Sequence, residues 1–213
     1  MLNFLKPLTK QFMKKYLLAV LLFFTLLAQN VLAQEAAPIK AKGKYILEPN
    51  HSSISWVVSH MGFSNVSGKF TDLKGEIVFD ETKPESSSVN VTINTNSIST
   101  GLPKFDAHLK SKDFLNVKDF PTAHFVSTKV TPDKNSNITK SARIEGNLTL
   151  LGITKPITLN ARFNKVAVNP MNQKESVGFS ANTVIKRSDF GITYGLPNIP
   201  DMIVLTIEVE ANR

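Results

Sequence analysis

The 213-residue chain contains no cysteine. That excludes disulfides, zinc–thiolate sites and thiol nucleophiles together, so the fold must stand on its own apolar core. Histidine is scarce as well: His51, His60, His108 and His124 are the only four, and none is spaced as H-x-H or H-x-x-x-H. A transition-metal site is therefore not expected. There is no dense Lys/Arg block interleaved with aromatics, which argues against a nucleic-acid surface. No G-x-S-x-G elbow is present to seat a serine nucleophile. The longest apolar run, Tyr16 to Leu27, falls short of the ~20 residues that a membrane-spanning helix needs.

That short run has its own meaning. Lys6, Lys10, Lys14 and Lys15 precede it without any acid, and Val31-Leu32-Ala33 follows as a small-residue exit. Basic head, short apolar core and small-residue exit predict a secretory signal peptide over residues 1–33, cleaved after Ala33. Met13, just before Lys14-Lys15, is an alternative start to Met1. Of the formal net charge of +8, the four leader lysines account for four, so the mature chain carries only a mild positive balance. Residues 34–42 form an Ala/Pro/Lys tether, and 43–213 are expected to form one domain.

Within that domain the hydropathy alternates with period two. Val89, Val91 and Ile93 face one way and Asn90, Thr92 and Asn94 the other. The same holds for Ala142, Ile144, Gly146, Leu148 and Leu150, for Ile157, Leu159, Ala161 and Phe163, and for Val177, Phe179, Ala181, Thr183 and Ile185. This is the pattern of half-buried antiparallel strands. Further strands are expected at 43–47, 53–58, 66–70, 75–79, 124–130 and 203–211, with turns at 48–50, 72–75, 80–84, 132–137 and 151–152. Short strands at such spacing predict an all-β sandwich or barrel. One segment departs from it: residues 102–110, with Pro103 near the start and Phe105 and Leu109 on one side, predict a short helix.

Two local groupings invite a chemical reading. Asp106 and His108 could serve as an acid–base pair for a hydrolase or isomerase, although Asp106 and Asp113 read more simply as caps and loop anchors that hold the helix. Arg187-Ser188-Asp189 follows a strand end and reads either as a strand cap with an Arg187–Asp189 contact or as a cationic rim for an anionic head group.

Several motifs in order resemble the YceI-like family of polyisoprenoid-binding proteins. They are His51-Ser52-Ser53-Ile54 leading to Gly68-Lys69-Phe70, Asp106-Ala107-His108-Leu109-Lys110-Ser111-Lys112-Asp113-Phe114-Leu115, Phe120-Pro121-Thr122-Ala123-His124-Phe125, Gly146-Asn147-Leu148-Thr149-Leu150-Leu151-Gly152-Ile153-Thr154-Lys155-Pro156-Ile157, and Arg187-Ser188-Asp189-Phe190-Gly191-Ile192. The resemblance implies an extended, lipocalin-like antiparallel β-barrel of eight strands, often dimeric and exported to the periplasm, with a long isoprenoid chain in its pore. The reading is of a carrier or sequestering protein, with no catalytic residue, metal or cofactor expected. Phe105 stands where the family commonly has Arg, which removes a cation beside Asp106.

On this reading the pore is lined by Ile144, Gly146, Leu148, Leu159, Ala161, Phe163, Phe179 and Ala181, with Arg187, Asp189 and His108 at a head-group rim. Gly146, Ala161 and Ala181 interrupt larger neighbours on the apolar faces and would leave room for a narrow chain. The competing readings are an envelope stress-linked barrel filled by its own side chains and the Asp106/His108 enzyme.

Overall fold

A computed structural model describes residues 42–133 and 140–213. The expected leader and the tether up to residue 41 lie outside the described residues. Eleven strand segments form one antiparallel sheet: β1 (Lys42–Leu47), β2 (Ser53–His60), β3 (Ser64–Phe70), β4 (Leu73–Asp80), β5 (Ser88–Asn94), β6 (Ile98–Ser99), β7 (Thr122–Pro132), β8 (Ser141–Leu150), β9 (Ile153–Val168), β10 (Glu175–Lys186) and β11 (Met202–Asn212). A helix, α1 (Pro103–Leu109), lies between β6 and β7, with Pro103 in its first turn as the sequence predicts.

The registers reduce these segments to eight staves. Both β1 and β2 lie against β11, pairing Leu47 with Ala211 and Ser53 with Glu208. They are one stave broken by a turn at Pro49–His51, where the Glu48 carboxylate accepts from the His51 N–H at 2.8 Å. Likewise β3 pairs with β2 and β4 with β1, and β6 pairs with β3 as β5 does with β4. The staves run in sequence order around the wall, and β1–β2 on β11 closes an eight-stranded barrel. Closure leaves no long sheet edge exposed.

Most strands extend beyond their expected limits. The segment 72–75 was expected as a turn, yet Leu73 to Gly75 are strand. Gly75 makes this possible: its φ is +154°, and a Cβ there would lie 2.1 Å from the Asn90 carbonyl oxygen. Only glycine lets the two backbones approach so closely.

Antiparallel order assigns each connection to an end. The β4–β5, β7–β8 and β9–β10 connections lie at one end. The β2–β3 and β8–β9 turns, the α1 segment and residues 187–201 lie at the other. This second end is filled by an apolar cluster that includes Trp56, Ile98, Leu109, Leu115 and Ile192. Phe105 packs edge-on to Trp56 with ring centroids 6.5 Å apart, so its apolar side chain serves the plug.

At the first end the barrel seam is clasped around Tyr45, which is wholly buried. Its hydroxyl donates to Glu175 Oε1, which Arg213 Nη2 also approaches at 2.7 Å, and the Arg213 guanidinium lies 5.0 Å above the Tyr45 ring. Burial, with the hydrogen bond to Glu175, pushes the Tyr45 phenol up to about 12. Between pH 10 and 12 the unfolded chain releases this proton while the folded chain keeps it, so stability falls as pH rises. The expected loss is about 2 kcal/mol. Urea unfolding at pH 9 and pH 12 should show it in the wild type and not in Tyr45→Phe. An identical alkaline decline in both would remove Tyr45 as its source.

Candidate functional site: an apolar lumen

The barrel encloses a cavity of about 430 Å³. Its wall is apolar because the inward positions of period-two strands are apolar. Inward-facing Phe163, Phe179, Leu205, Ile207 and Val209 line it and are only half-buried, unlike the fully packed side chains of the plug. A side chain that faces the inside of a barrel and still has accessible surface borders open space. The size falls within the range of small-molecule sites.

Seven of the eight residues expected in the pore line this cavity: Ile144, Leu148, Leu159, Ala161, Phe163, Phe179 and Ala181. Ala161 is directly opposite Ala181 on β10 and opposite Ala142 on β8. Three adjacent staves thus present a methyl group at one level, where the lumen gains width. Ala142 completes the row and was not singled out from sequence, although its inward parity was readable. The β4 and β5 contribution, including Ile77, Phe79 and Val91, was also missed.

Phe79, Phe163 and Phe179 form an aromatic group with centroids 5.2–5.6 Å apart, toward the first end. Beyond it come the polar lining residues Glu81, Ser87, Asp133 and Lys140, from the β4–β5 and β7–β8 connections, and Ser141, the first residue of β8. Lys140 pairs with Glu81 and holds its ammonium 5.1 Å above the Phe163 ring. Deeper inside, Thr183 is the polar exception, and its hydroxyl already donates to the Thr158 carbonyl at 2.8 Å. The lumen is therefore an apolar pocket with a polar mouth at one end.

Gly146 does not line the cavity. A Cβ there would lie 2.4 Å from Cζ of Phe125. The space left by the missing side chain is taken by that ring, so Gly146 is a packing glycine rather than a gap.

The expected head-group rim is corrected more fully. Arg187 is 4% exposed. Its Nε donates to Pro200 O at 3.0 Å, Nη1 to Ile192 O and Tyr194 O at 3.1 and 2.7 Å, and Nη2 to Ile199 O at 2.9 Å. Burial pulls its pKa below the ordinary guanidinium value, against the opposing charge of Asp201. The guanidinium bonds these carbonyls and not the anticipated Asp189; the carboxylate that anchors the turn is that of Asp201, which accepts from the Ser188 N–H and hydroxyl at 2.9 and 2.7 Å. Asp189 is exposed, and neither Arg187, Asp189 nor His108 lines the cavity. A charged trio close in sequence is thus dispersed, because the carbonyls of 192–200 satisfy the guanidinium internally.

The acid–base pair is rearranged as well. Asp106 Oδ1 accepts from the Thr100 N–H and hydroxyl at 2.7 and 2.6 Å, and these bonds hold its carboxyl below the usual range. His108 instead meets Asp113, Nε2 to Oδ2 at 2.9 Å, and packs edge-on to Phe114 and Tyr194. Asp106 is thus a loop anchor. Among the described residues, no group of three or more His, Asp or Glu side chains is arranged to hold a metal ion.

Comparison with known proteins is consistent across most of the chain. The YceI-like domain profile matches residues 45–211. A UPF0312 protein of Pectobacterium carotovorum is 39% identical over 189 residues, 89% of this chain and 95% of the relative. Protein YceI of Salmonella arizonae is 39% identical over 198 residues, 93% and 97% of the two chains. Among solved structures, the Campylobacter jejuni YceI protein matches with a TM-score of 0.63 at 37% identity, over 73% of this chain and 89% of that one. A polyisoprenoid-binding domain from Saccharophagus degradans shares the fold, with a TM-score of 0.59 at 14% identity, over 79% and 97% of the two chains.

Proposed function

This chain belongs to the YceI-like domain family, and from that membership and the lumen we propose that it binds a long-chain polyisoprenoid, as a periplasmic carrier or sequestering protein rather than an enzyme. The observation that carries the reading is the apolar cavity whose polar lining, apart from the internally bonded Thr183, gathers at one mouth. An amphiphile with one polar end and a long apolar tail has the same division. The ligand class agrees with that of the Saccharophagus domain, whose fold is shared.

The energetics favour the tail as the source of affinity. At ~0.8 kcal/mol per buried CH₂, a prenyl chain of ~40 carbons has a gross transfer term near ~30 kcal/mol. Chain ordering and the practical ceiling of non-covalent affinity, near ~20 kcal/mol, reduce this greatly. The seven pore-lining residues expected from sequence supply part of the contact. The head rests at the mouth, near Lys140 and Ser141, where a charge-assisted hydrogen bond adds ~1–3 kcal/mol and mainly orients the ligand. Export follows from the leader over 1–33.

The test is a single preparation. Expressed with its leader in a Gram-negative host, the protein should appear in the periplasmic fraction starting at Gln34. An organic extract should contain a prenyl lipid at close to one equivalent by mass spectrometry. Protein that is lipid-free from the host, and that takes up no prenyl lipid in vitro, would overturn the binding reading. Recovery on the membrane with Met1 or Met13 intact would overturn export.

A further inference from the structure

The lumen's floor differs around the wall: on β4 and β5 the lining reaches Leu73 and Ile93, the latter opposite Ala123, whereas on the neighbouring side it ends one inward position earlier. On β7, β8, β10 and β11 the deepest lining residues are Phe125, Leu148, Thr183 and Leu205. The next inward residues, Ala123, Leu150, Ile185 and Ile203, do not line it. Phe125 is both lining and 6% exposed, and it belongs to a cluster with Leu148, Ile185 and Phe190. Its ring therefore has the cavity on one side and packed core on another.

The ring has little freedom on its β8 side. A Cβ on Gly146 would come within 2.4 Å of Phe125 Cζ and 2.6 Å of the Val126 carbonyl oxygen. Gly146 thus provides a seat that no larger residue leaves open. The β7–β8 register shifts between Ser127 and Lys129, immediately beyond this point. A bulge re-aims neighbouring side chains. Below Phe125, Phe190 is 1% exposed and leaves no second void to enter.

We propose that Phe125, seated over Gly146, is the floor of the lumen on its β7–β8 side and thereby limits the length of apolar chain that the barrel selects. The inference rests on the lipid-binding reading above and adds a specificity-determining pair to it. A chain shorter than the lumen leaves apolar wall uncovered, whereas a longer one projects its excess through the mouth and gains nothing from it. Affinity should rise with chain length and then level off where the tail meets Phe125.

The experiment titrates delipidated protein by calorimetry with a graded series of all-trans prenyl alcohols, from farnesol upward. Wild type, Phe125→Leu, Phe125→Ala and Gly146→Ala are compared, with circular dichroism to verify folding. Phe125→Ala should move the levelling-off about one isoprene unit longer, since the six ring carbons removed match a five-carbon unit. At that length the variant should bind about tenfold more tightly than wild type. Phe125→Leu removes less and should give a smaller shift in the same direction. Gly146→Ala should push the ring into the lumen and move the levelling-off shorter. If Gly146→Ala or Phe125→Ala fails to fold, Phe125→Leu decides.

Variants that bind the series with the wild-type length profile would overturn this limit while leaving lipid binding intact. A wild type that binds none of the alcohols would overturn both.

Discussion

Ala181→Trp is expected to abolish lipid co-purification and to leave a folded barrel. Ala181 lines the lumen and lies opposite Ala161 on one side and Ile207 on the other. With Ala142 it belongs to the row of methyl groups that widens the cavity. An indole at this level projects into the space between the aromatic group of Phe79, Phe163 and Phe179 and the deeper aliphatic wall. At this level the indole would occupy the same apolar space that a prenyl chain needs.

Because the added atoms enter open space, the usual overpacking cost of ~1–3 kcal/mol should be largely absent. Lipid in an organic extract should fall at least tenfold relative to wild type. The thermal midpoint should match that of delipidated wild type, since only the contribution of bound ligand is lost. A variant that still carries a full equivalent of lipid would show that the chain does not pass Ala181. A variant that unfolds even against the delipidated reference would show that the site is packed.

Arg187→Met should cost ~3–5 kcal/mol of stability or prevent folding altogether. The guanidinium binds four carbonyl oxygens, those of Ile192, Tyr194, Ile199 and Pro200, all on the segment that crosses the closed end. Methionine preserves bulk and removes every donor. Buried carbonyls without partners cost ~1–3 kcal/mol each where water cannot reach them, and breaking a buried charged network typically costs several. Arg187→Lys should recover little, because one ammonium with three donors cannot span the positions that the planar fork reaches. Urea unfolding gives the measure. Were Arg187→Met to fold with wild-type stability and lose lipid instead, the residue would belong to the binding site and its structural assignment would be wrong.

Much of the wall was legible in the chain itself. Alternation over 142–150, 157–163 and 177–185 identified strands and the side of each that faces inward, because a pleated strand has only two faces. Pro103 marked the start of α1 correctly, since its fixed φ and absent N–H suit a first helical turn. The broken staves were less readable. Nothing local states that β1 and β2 share one partner strand, because that relation lies in pairings with β11 more than 150 residues away.

Small residues and charges show the same limit at the site. Ala161, Ala181 and Gly146 look alike as gaps in an apolar face, yet the first two border the lumen and the third lies beneath the Phe125 ring. Arg187 at a strand end looks like a surface cation and is instead a buried tie for 192–200. What the sequence alone determined was the all-β wall, its inward faces and its short helix, because periodicity and turn chemistry act between near neighbours. Which gaps stayed open, which end was plugged and which charges stayed in water were decided by the tertiary structure, because each depends on side chains and carbonyls brought from distant strands into the same volume.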